Sequence, residues 1–178
     1  VSIQATGNVN IDAKSSGILI GAINNKPGIA GVEINAGGKV TIKAGASAVQ
    51  SYDTDSLGYD GTGKANTVIS GDKGVDISST SDSVYAVRVV RSKKLNDIGL
   101  TISAENGDVV IAGVAGAVQY DVTAKDVVEG AKGITGSITG NNVTLKSSAG
   151  SAIDILNNGK LTVAANTVDG SVILTGAD

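Results

Sequence analysis

The chain of 178 residues contains no cysteine, histidine, phenylalanine, tryptophan or methionine. Without cysteine it can form neither a disulfide framework nor a thiol nucleophile, and this absence is compatible with export through an oxidising compartment. Without histidine and cysteine, the side chains available for general-base or nucleophilic chemistry are Asp, Glu, Lys, Ser and Tyr. The composition therefore narrows the classes of enzyme to which the chain could belong.

Aromatic residues and proline are also scarce, with four tyrosines and one proline, Pro27. Valine, isoleucine, leucine and alanine must then fill the core, and β-branched side chains suit pleated sheets. The 25 glycines suit tight turns that join short strands. We expect an all-β protein with a single domain over residues 1–178, because no internal linker divides the chain.

Charge is low and evenly spread, with 14 Lys and Arg against 17 Asp and Glu and a net charge of −3 at pH 7. Neither sign forms a block, so nucleic acid is not expected as a partner. No apolar run approaches the roughly 18 residues typical of a membrane span. We therefore expect a segment that does not cross a membrane.

One short motif recurs five times: an apolar residue, any residue and a small residue, then a turn, then valine, any residue and isoleucine or leucine. The clearest copies are "INAGGKVTI" at 34–42 and "ISAENGDVVI" at 102–111. The marker valines are Val9, Val40, Val75, Val109 and Val143, and a sixth copy begins near Val172. Their spacings of 31, 35, 34 and 34 residues are typical of a solenoid.

Apolar and polar residues alternate with a period of two inside each copy, which predicts strands. A second strand is expected seven residues after the last residue of each marker, at Ile18, Val49, Val84, Val118 and Ala152 or Ile153. A third apolar stretch follows at Ile98 and Leu100, at Val127 and Val128, and at Leu161 and Val163. Three strands per copy predict a right-handed parallel β-helix (β-solenoid) of about five three-strand coils, with the marker positions as inward ladders.

The turn inside each marker reads "TGN", "GGK", "DKG", "ENG" or "GNN". Because Gly and Asn adopt positive φ at low cost, we expect this corner to be built on that conformation. The segments 51–66 and 91–97 are the expected protruding loops, the first being the most mobile. The outward ladder of the second strand is expected to contain Leu19, Gln50, Tyr85, Gln119 and Asp154.

Three aspartates in "YDTDSLGYDG", Asp53, Asp55 and Asp60, form a candidate calcium site. Calcium prefers several oxygen ligands, which closely spaced Asp residues beside a Gly can supply from a loop. The segment lacks the bidentate Glu or further Asp of a complete calcium loop. The alternative, a solvated loop in which Asp and Gly form turns, is favoured. No other cofactor is expected.

The segment "YAVRVVRSKK", residues 85–94, is the one basic run. Tyr and Arg are favoured at binding hot spots, so an adhesive patch is one interpretation. The other is an ordinary strand with a solvated outward residue, since Val87 and Val89 alternate around Arg88. The candidate binding residues are Tyr52, Tyr59, Tyr85, Arg88 and Arg91.

The pattern I-x-A-x-G-x-V-x-I-x-A, with Thr and Asn between the apolar positions, resembles the passenger repeats of filamentous haemagglutinin-like exoproteins and autotransporter adhesins of Gram-negative bacteria. The resemblance covers essentially the whole chain. It implies a segment of a longer exoprotein that is secreted or anchored at the outer membrane. It also implies an adhesin that attaches to surface proteins or glycans of host cells, matrix or other bacteria, and self-association is a further expectation.

Two other functions stay open at this stage. Polysaccharide-degrading enzymes also use β-helices, but they need clustered carboxylates on an outward face and generally offer aromatic platforms to sugars. The expected outward ladder holds no acid pair, so we expect no catalytic residues and no enzyme. A purely structural filament or surface-layer component is the third interpretation.

Overall fold

A computed structural model describes residues 1–22, 29–53, 64–91, 97–122, 135–156 and 159–177. Within these ranges the chain forms seventeen β-strands and no helix. The strands are short because a turn rich in Gly, Asn or Ser interrupts the apolar alternation every few residues. The predicted all-β class is confirmed.

The strands form three parallel sheets, each built from every third strand. Sheet 1 contains β1 (Ser2–Ala5), β4 (Ile29–Ala36), β7 (Lys64–Gly71), β10 (Asp97–Ser103), β13 (Thr135–Gly140) and β16 (Lys160–Ala165). Sheet 2 contains β2 (Val9–Ala13), β5 (Lys39–Ala44), β8 (Gly74–Ser79), β11 (Val109–Gly113), β14 (Val143–Ser147) and β17 (Val172–Thr175). Sheet 3 contains β3 (Ile18–Ala22), β6 (Val49–Asp53), β9 (Val87–Arg91), β12 (Val118–Val122) and β15 (Ile153–Leu156).

Three consecutive strands make one coil, and each strand lies beside its counterpart in the next coil. This arrangement is the parallel β-solenoid predicted from the repeat. The number of coils differs slightly from the expected five, because β16 and β17 belong to a sixth coil. With neighbouring strands about 4.8 Å apart, five coils stack to a height of about 24 Å.

The marker positions form the inward ladders that the repeat predicts. The marker valines pair in one column, Val9, Val40, Val75, Val109, Val143 and Val172. The next inward column is Ile11, Ile42, Ile77, Ile111, Leu145 and Leu174. From β5 to β14 these side chains are buried, and each contributes about 1.5–3 kcal/mol of apolar burial. The motif repeats because each coil must present the same apolar face at the same height.

The sequence predicted that the third apolar stretch of each copy forms a strand of its own, and the structure corrects this. Ile98 and Leu100 lie in the same strand, β10, as Ile102 of the fourth marker. Leu161 and Val163 lie together in β16. The reason is that no turn residue interrupts the alternation between the two apolar stretches, so one longer strand pairs along its whole length. Val127 and Val128 lie outside the described residues.

The predicted register was wrong in the third coil. The strand begins at Val87 rather than Val84, and Val87 pairs with Val49 and Val118. The extra residues form a turn in which the Ser81 hydroxyl oxygen accepts hydrogen bonds from the backbone N–H groups of Ser83 and Val84, both at 3.2 Å. In the fifth coil the residue in this column is Ile153, the second of the two alternatives offered.

The positive φ predicted for the described corner glycines is found in the third coil only. Of the described glycines, Gly74 alone has a positive φ, at 136°. At Gly37 the limit is instead close approach, because a Cβ there would lie 2.5 Å from the backbone oxygen of Thr6 in the coil below. Stacked corners bring backbone against backbone, and this contact leaves no room for a side chain.

Asparagine and aspartate at the corners connect one coil to the next. Asn8 Oδ1 accepts a hydrogen bond from the backbone N–H of Lys39 at 2.8 Å. Asp108 Oδ1 accepts from the backbone N–H of Asn142 at 3.0 Å, and Asn142 Oδ1 accepts from that of Ser171 at 3.0 Å. These bonds satisfy turn N–H groups that the sheets leave without a partner.

The core is not filled by aliphatic residues alone, because Tyr120 is fully buried. It belongs to an inward column of sheet 3, which runs Ile20, Ser51, Val89, Tyr120 and Ile155. Its hydroxyl lies against Gly136 in a column of sheet 1, where any Cβ would overlap it. That column runs Val32, Thr67, Leu100, Gly136 and Leu161. The largest side chain of one column therefore faces the smallest residue of the other.

Gly136→Ala should lower the free energy of unfolding by about 1–3 kcal/mol, because the added methyl overlaps the Tyr120 hydroxyl. Urea unfolding followed by circular dichroism measures the change. Gly7→Ala is the matched control, since a Cβ at Gly7 meets no atom within 4 Å. Combining Gly136→Ala with Tyr120→Leu should cost less than the sum of the single changes, and strict additivity would contradict the assigned contact.

Stability should fall above roughly pH 10, where a tyrosine in the unfolded chain ionises. Burial raises the pKa of Tyr120 in the folded protein well above its ordinary value, so the unfolded state releases this proton first. The stabilisation is therefore complete below pH 10 and is lost as the pH rises further. Unfolding free energies measured from pH 8 to 11 should show this slope, and Tyr120→Phe should remove most of it. Equal slopes in both proteins would contradict the burial of this hydroxyl.

Candidate binding face

The outer side of sheet 3 carries a ladder of polar side chains. Its outward column contains Leu19, Gln50, Arg88, Gln119 and Asp154. The neighbouring residues in each strand, such as Val87 and Val118, are buried, so these five lie on the opposite, exterior side. The column differs from the predicted one in a single member, because the register shift of the third coil puts Arg88 where Tyr85 was expected.

Hydrogen bonds connect three of these side chains across three coils. Arg88 Nε donates to Gln119 Oε1 at 3.0 Å, and Gln119 Nε2 donates to Asp154 Oδ2 at 3.0 Å. Arg88 Nη2 also donates to Asp121 Oδ2 at 3.2 Å. We call Arg88, Gln119, Asp121 and Asp154 the polar ladder. Because each side chain is held by its neighbours, the ladder presents its polar atoms in fixed positions.

The ion pair in the polar ladder is more buried than an ordinary surface pair. The side chains of Arg88 and Asp121 are 28% and 14% exposed, against 43% for both members of the pair between Lys39 and Asp76 on sheet 2. Asp121 Oδ1 is buried and has no hydrogen-bond partner among the described residues. Lower exposure means weaker screening by solvent. The ion pair between Arg88 and Asp121 should therefore contribute more to stability than the pair between Lys39 and Asp76.

Tyr85 lies beside the polar ladder, at the corner where the chain enters sheet 3. Its ring covers Gly116 of the next coil, where a Cβ would overlap the ring carbons. Burial raises the pKa of the Tyr85 hydroxyl, and the nearby negative charge of Asp154 raises it further. The hydroxyl therefore stays protonated at neutral pH and can donate a hydrogen bond.

Two of the five predicted binding residues, Tyr85 and Arg88, come together on this face. The backbones of Tyr52 and Arg91 lie in β6 and β9 of the same sheet, and their side chains lie outside the described part of the structure. Tyr59 also lies outside the described residues. The predicted strand around Arg88 is confirmed, and the structure adds that Arg88 is paired rather than simply solvated.

The candidate calcium residues fall largely outside the description. Asp53 is the last residue of β6 and its side chain is not described, while Asp55 and Asp60 lie in the undescribed range 54–63. Among the side chains that the structure does place, no group of three or more Asp, Glu, His or Cys residues is arranged to hold a metal ion. The calcium site stays a prediction.

Sequence reasoning missed Asp121, which adds a second carboxylate to this face. Its signal was the alternation of β12, because Asp121 follows Gln119 by two residues and must share its side of the sheet. Arg88 engages Asp121, and the Gln119 amide engages Asp154. Both carboxylates therefore act as hydrogen-bond acceptors inside the ladder. The face offers a fixed array of donors and acceptors, which suits recognition of a polar surface.

No protein-family model matches the chain, and no curated protein or solved structure resembles it significantly. Across the described ranges no helix is long and apolar enough to cross a bilayer.

Arg88→Ala should lower the free energy of unfolding by about 1–3 kcal/mol, because it leaves the largely buried Asp121 carboxylate without its cation. Lys39→Ala is the matched control and should change stability by no more than about 1 kcal/mol, since both members of its ion pair with Asp76 are well exposed. Chemical denaturation of the two variants in parallel gives the comparison. Equal losses would show that the polar ladder is no stronger than an ordinary surface ion pair.

Proposed function

We propose that this chain is a segment of a surface-exposed or secreted bacterial adhesin of the haemagglutinin-like type, which acts by binding rather than by catalysis. Two lines of support combine. The repeat pattern resembles adhesin passengers along essentially the whole sequence, and the β-solenoid fold is compatible with an adhesive or a structural role. The polar ladder of sheet 3 is the observation that favours adhesion.

Rigidity is the first reason why the polar ladder suits adhesion. Arg88, Gln119 and Asp154 project from three strands of one parallel sheet, so backbone hydrogen bonds fix their spacing. Side chains that are already ordered lose little conformational freedom on binding, and the affinity per contact rises accordingly. A solenoid face can therefore hold a polar partner without reorganising.

Composition is the second reason. Tyr and Arg are enriched at binding hot spots, and Tyr85 and Arg88 lie at the corner and on the strand of the same coil. The amide of Gln119 and the carboxylate of Asp154 add acceptors and donors next to them. The partner that fits this mixture is a polar protein surface or a glycan on a host cell, on extracellular matrix or on another bacterium. Such a partner requires surface display or secretion, and the resemblance to adhesin passengers implies that the cell is Gram-negative.

Attachment of beads coated with the purified segment to epithelial cells, matrix proteins and bacteria tests the proposal. The Tyr85→Ser/Arg88→Ser variant should reduce attachment by about tenfold or more, because hot-spot residues contribute most of the binding energy. A wider variant, with Tyr52, Tyr59, Tyr85, Arg88 and Arg91 all changed to Ser, should abolish it.

The control changes two exposed lysines of sheet 2, Lys43→Ser and Lys146→Ser, which alter charge on a different face. It should attach as well as the unaltered segment. Circular dichroism must show that every variant keeps its β-structure. Full attachment by the folded wider variant would mean that the binding face was wrongly chosen. No attachment of the unaltered segment to any of these surfaces would favour a purely structural filament.

A further inference from the structure

Four buried hydroxyl groups have no hydrogen-bond partner among the described residues: Ser47 Oγ, Ser51 Oγ, Thr67 Oγ1 and Tyr120 Oη. The residues Ser51 and Thr67 are 2% and 1% exposed. Ser51 Oγ and Thr67 Oγ1 are buried, and neither meets a hydrogen-bond partner among the described residues. Buried hydroxyls in native proteins almost always find a partner, which is either protein or ordered water. These two atoms therefore indicate an internal polar site.

The register places Ser51 and Thr67 in the two inward columns that the contact between Tyr120 and Gly136 joins. Ser51 lies two coils below Tyr120 in one inward column of sheet 3, and Thr67 lies two coils below Gly136 in one inward column of sheet 1. Tyr120 reaches across the interior to touch Gly136. Because parallel ladders keep their spacing from coil to coil, we expect Ser51 and Thr67 to face each other across a gap of similar width, which their short side chains would not span.

The layers above and below are filled by larger side chains. Ile20 and Val32 occupy the same columns one coil below, and Val89 and Leu100 occupy them one coil above. Ser and Thr together supply less side-chain volume than either of these pairs. The shortfall exceeds the roughly 30 Å³ that one water molecule occupies, so this layer has room for at least one.

We propose that one ordered water molecule binds between Ser51 and Thr67 and bridges their hydroxyl groups. A bridging water needs two polar partners about 5.5 Å apart, which is twice the usual O–H···O distance. Each of the two hydroxyl groups supplies a donor and an acceptor, so a water molecule between them can form a hydrogen bond to both. The site is independent of adhesion, and it makes this layer of the interior polar between two apolar layers.

A crystal structure of the purified segment, compared with that of Thr67→Val, tests the proposal. We expect a water peak within hydrogen-bond distance of both hydroxyl oxygens in the unaltered protein and its loss or displacement in the variant. Thr67→Val keeps the shape of the side chain, so the variant should still fold. A dry site, or a water that contacts one hydroxyl only, would overturn the proposal.

Thermal unfolding supplies a second measurement that needs no crystal. Thr67→Val should lower Tm by about 2–4 °C, because the water loses a partner. Ser51→Ala/Thr67→Val should lower Tm by less than the sum of the single changes, since either change alone already disrupts the bridge. Thr101→Val, on the outer side of sheet 1, is the matched control and should leave Tm nearly unchanged. A rise in Tm for Thr67→Val would show that the Thr67 hydroxyl forms no hydrogen bond to a water molecule.

Discussion

The parallel register between coils is the constraint on which the rest of this structure depends. Each strand pairs with its counterpart one coil away, so every side chain lies directly above or below the residue at the same place in the motif. An inward position that is apolar in one coil is therefore usually apolar in the next, because a polar residue there would lose its water without gaining a partner, and Ser51 and Thr67 are exceptions. This requirement explains why the motif repeats in the sequence.

The same register gives the outer face its properties. Columns on the exterior are free of the packing requirement, so their residues vary from coil to coil, as Gln50, Arg88, Gln119 and Asp154 do. Their spacing nevertheless stays fixed by the sheet beneath them. A rigid support with variable outward residues can acquire a binding face without disturbing its core, and the polar ladder is such a face.

In two layers of the interior the side chains depart from the repeated apolar pattern. Tyr120 is too large for its column, and Gly136 in the facing column makes room for its hydroxyl. Ser51 and Thr67 depart in the opposite direction, since both are small and polar and lie two coils lower in the same two columns. A facing residue can therefore offset a change in volume, as Gly136 does for Tyr120, but the layer of Ser51 and Thr67 carries less side-chain volume than its neighbours.

The sequence by itself determined the parallel solenoid, the inward columns through Val40 and Ile42 and the outward position of Gln119, because these follow from a period of two within strands and about 34 residues between them. It could not determine the register of the third coil, because an inserted turn near Ser81 moves the start of the strand from Val84 to Val87, and a shift of three residues exchanges inward and outward positions. It could not pair Arg88 with Asp121 or Tyr120 with Gly136, since these contacts join residues from different coils. Only stacking brings such residues into contact, so the tertiary structure alone decided these pairings.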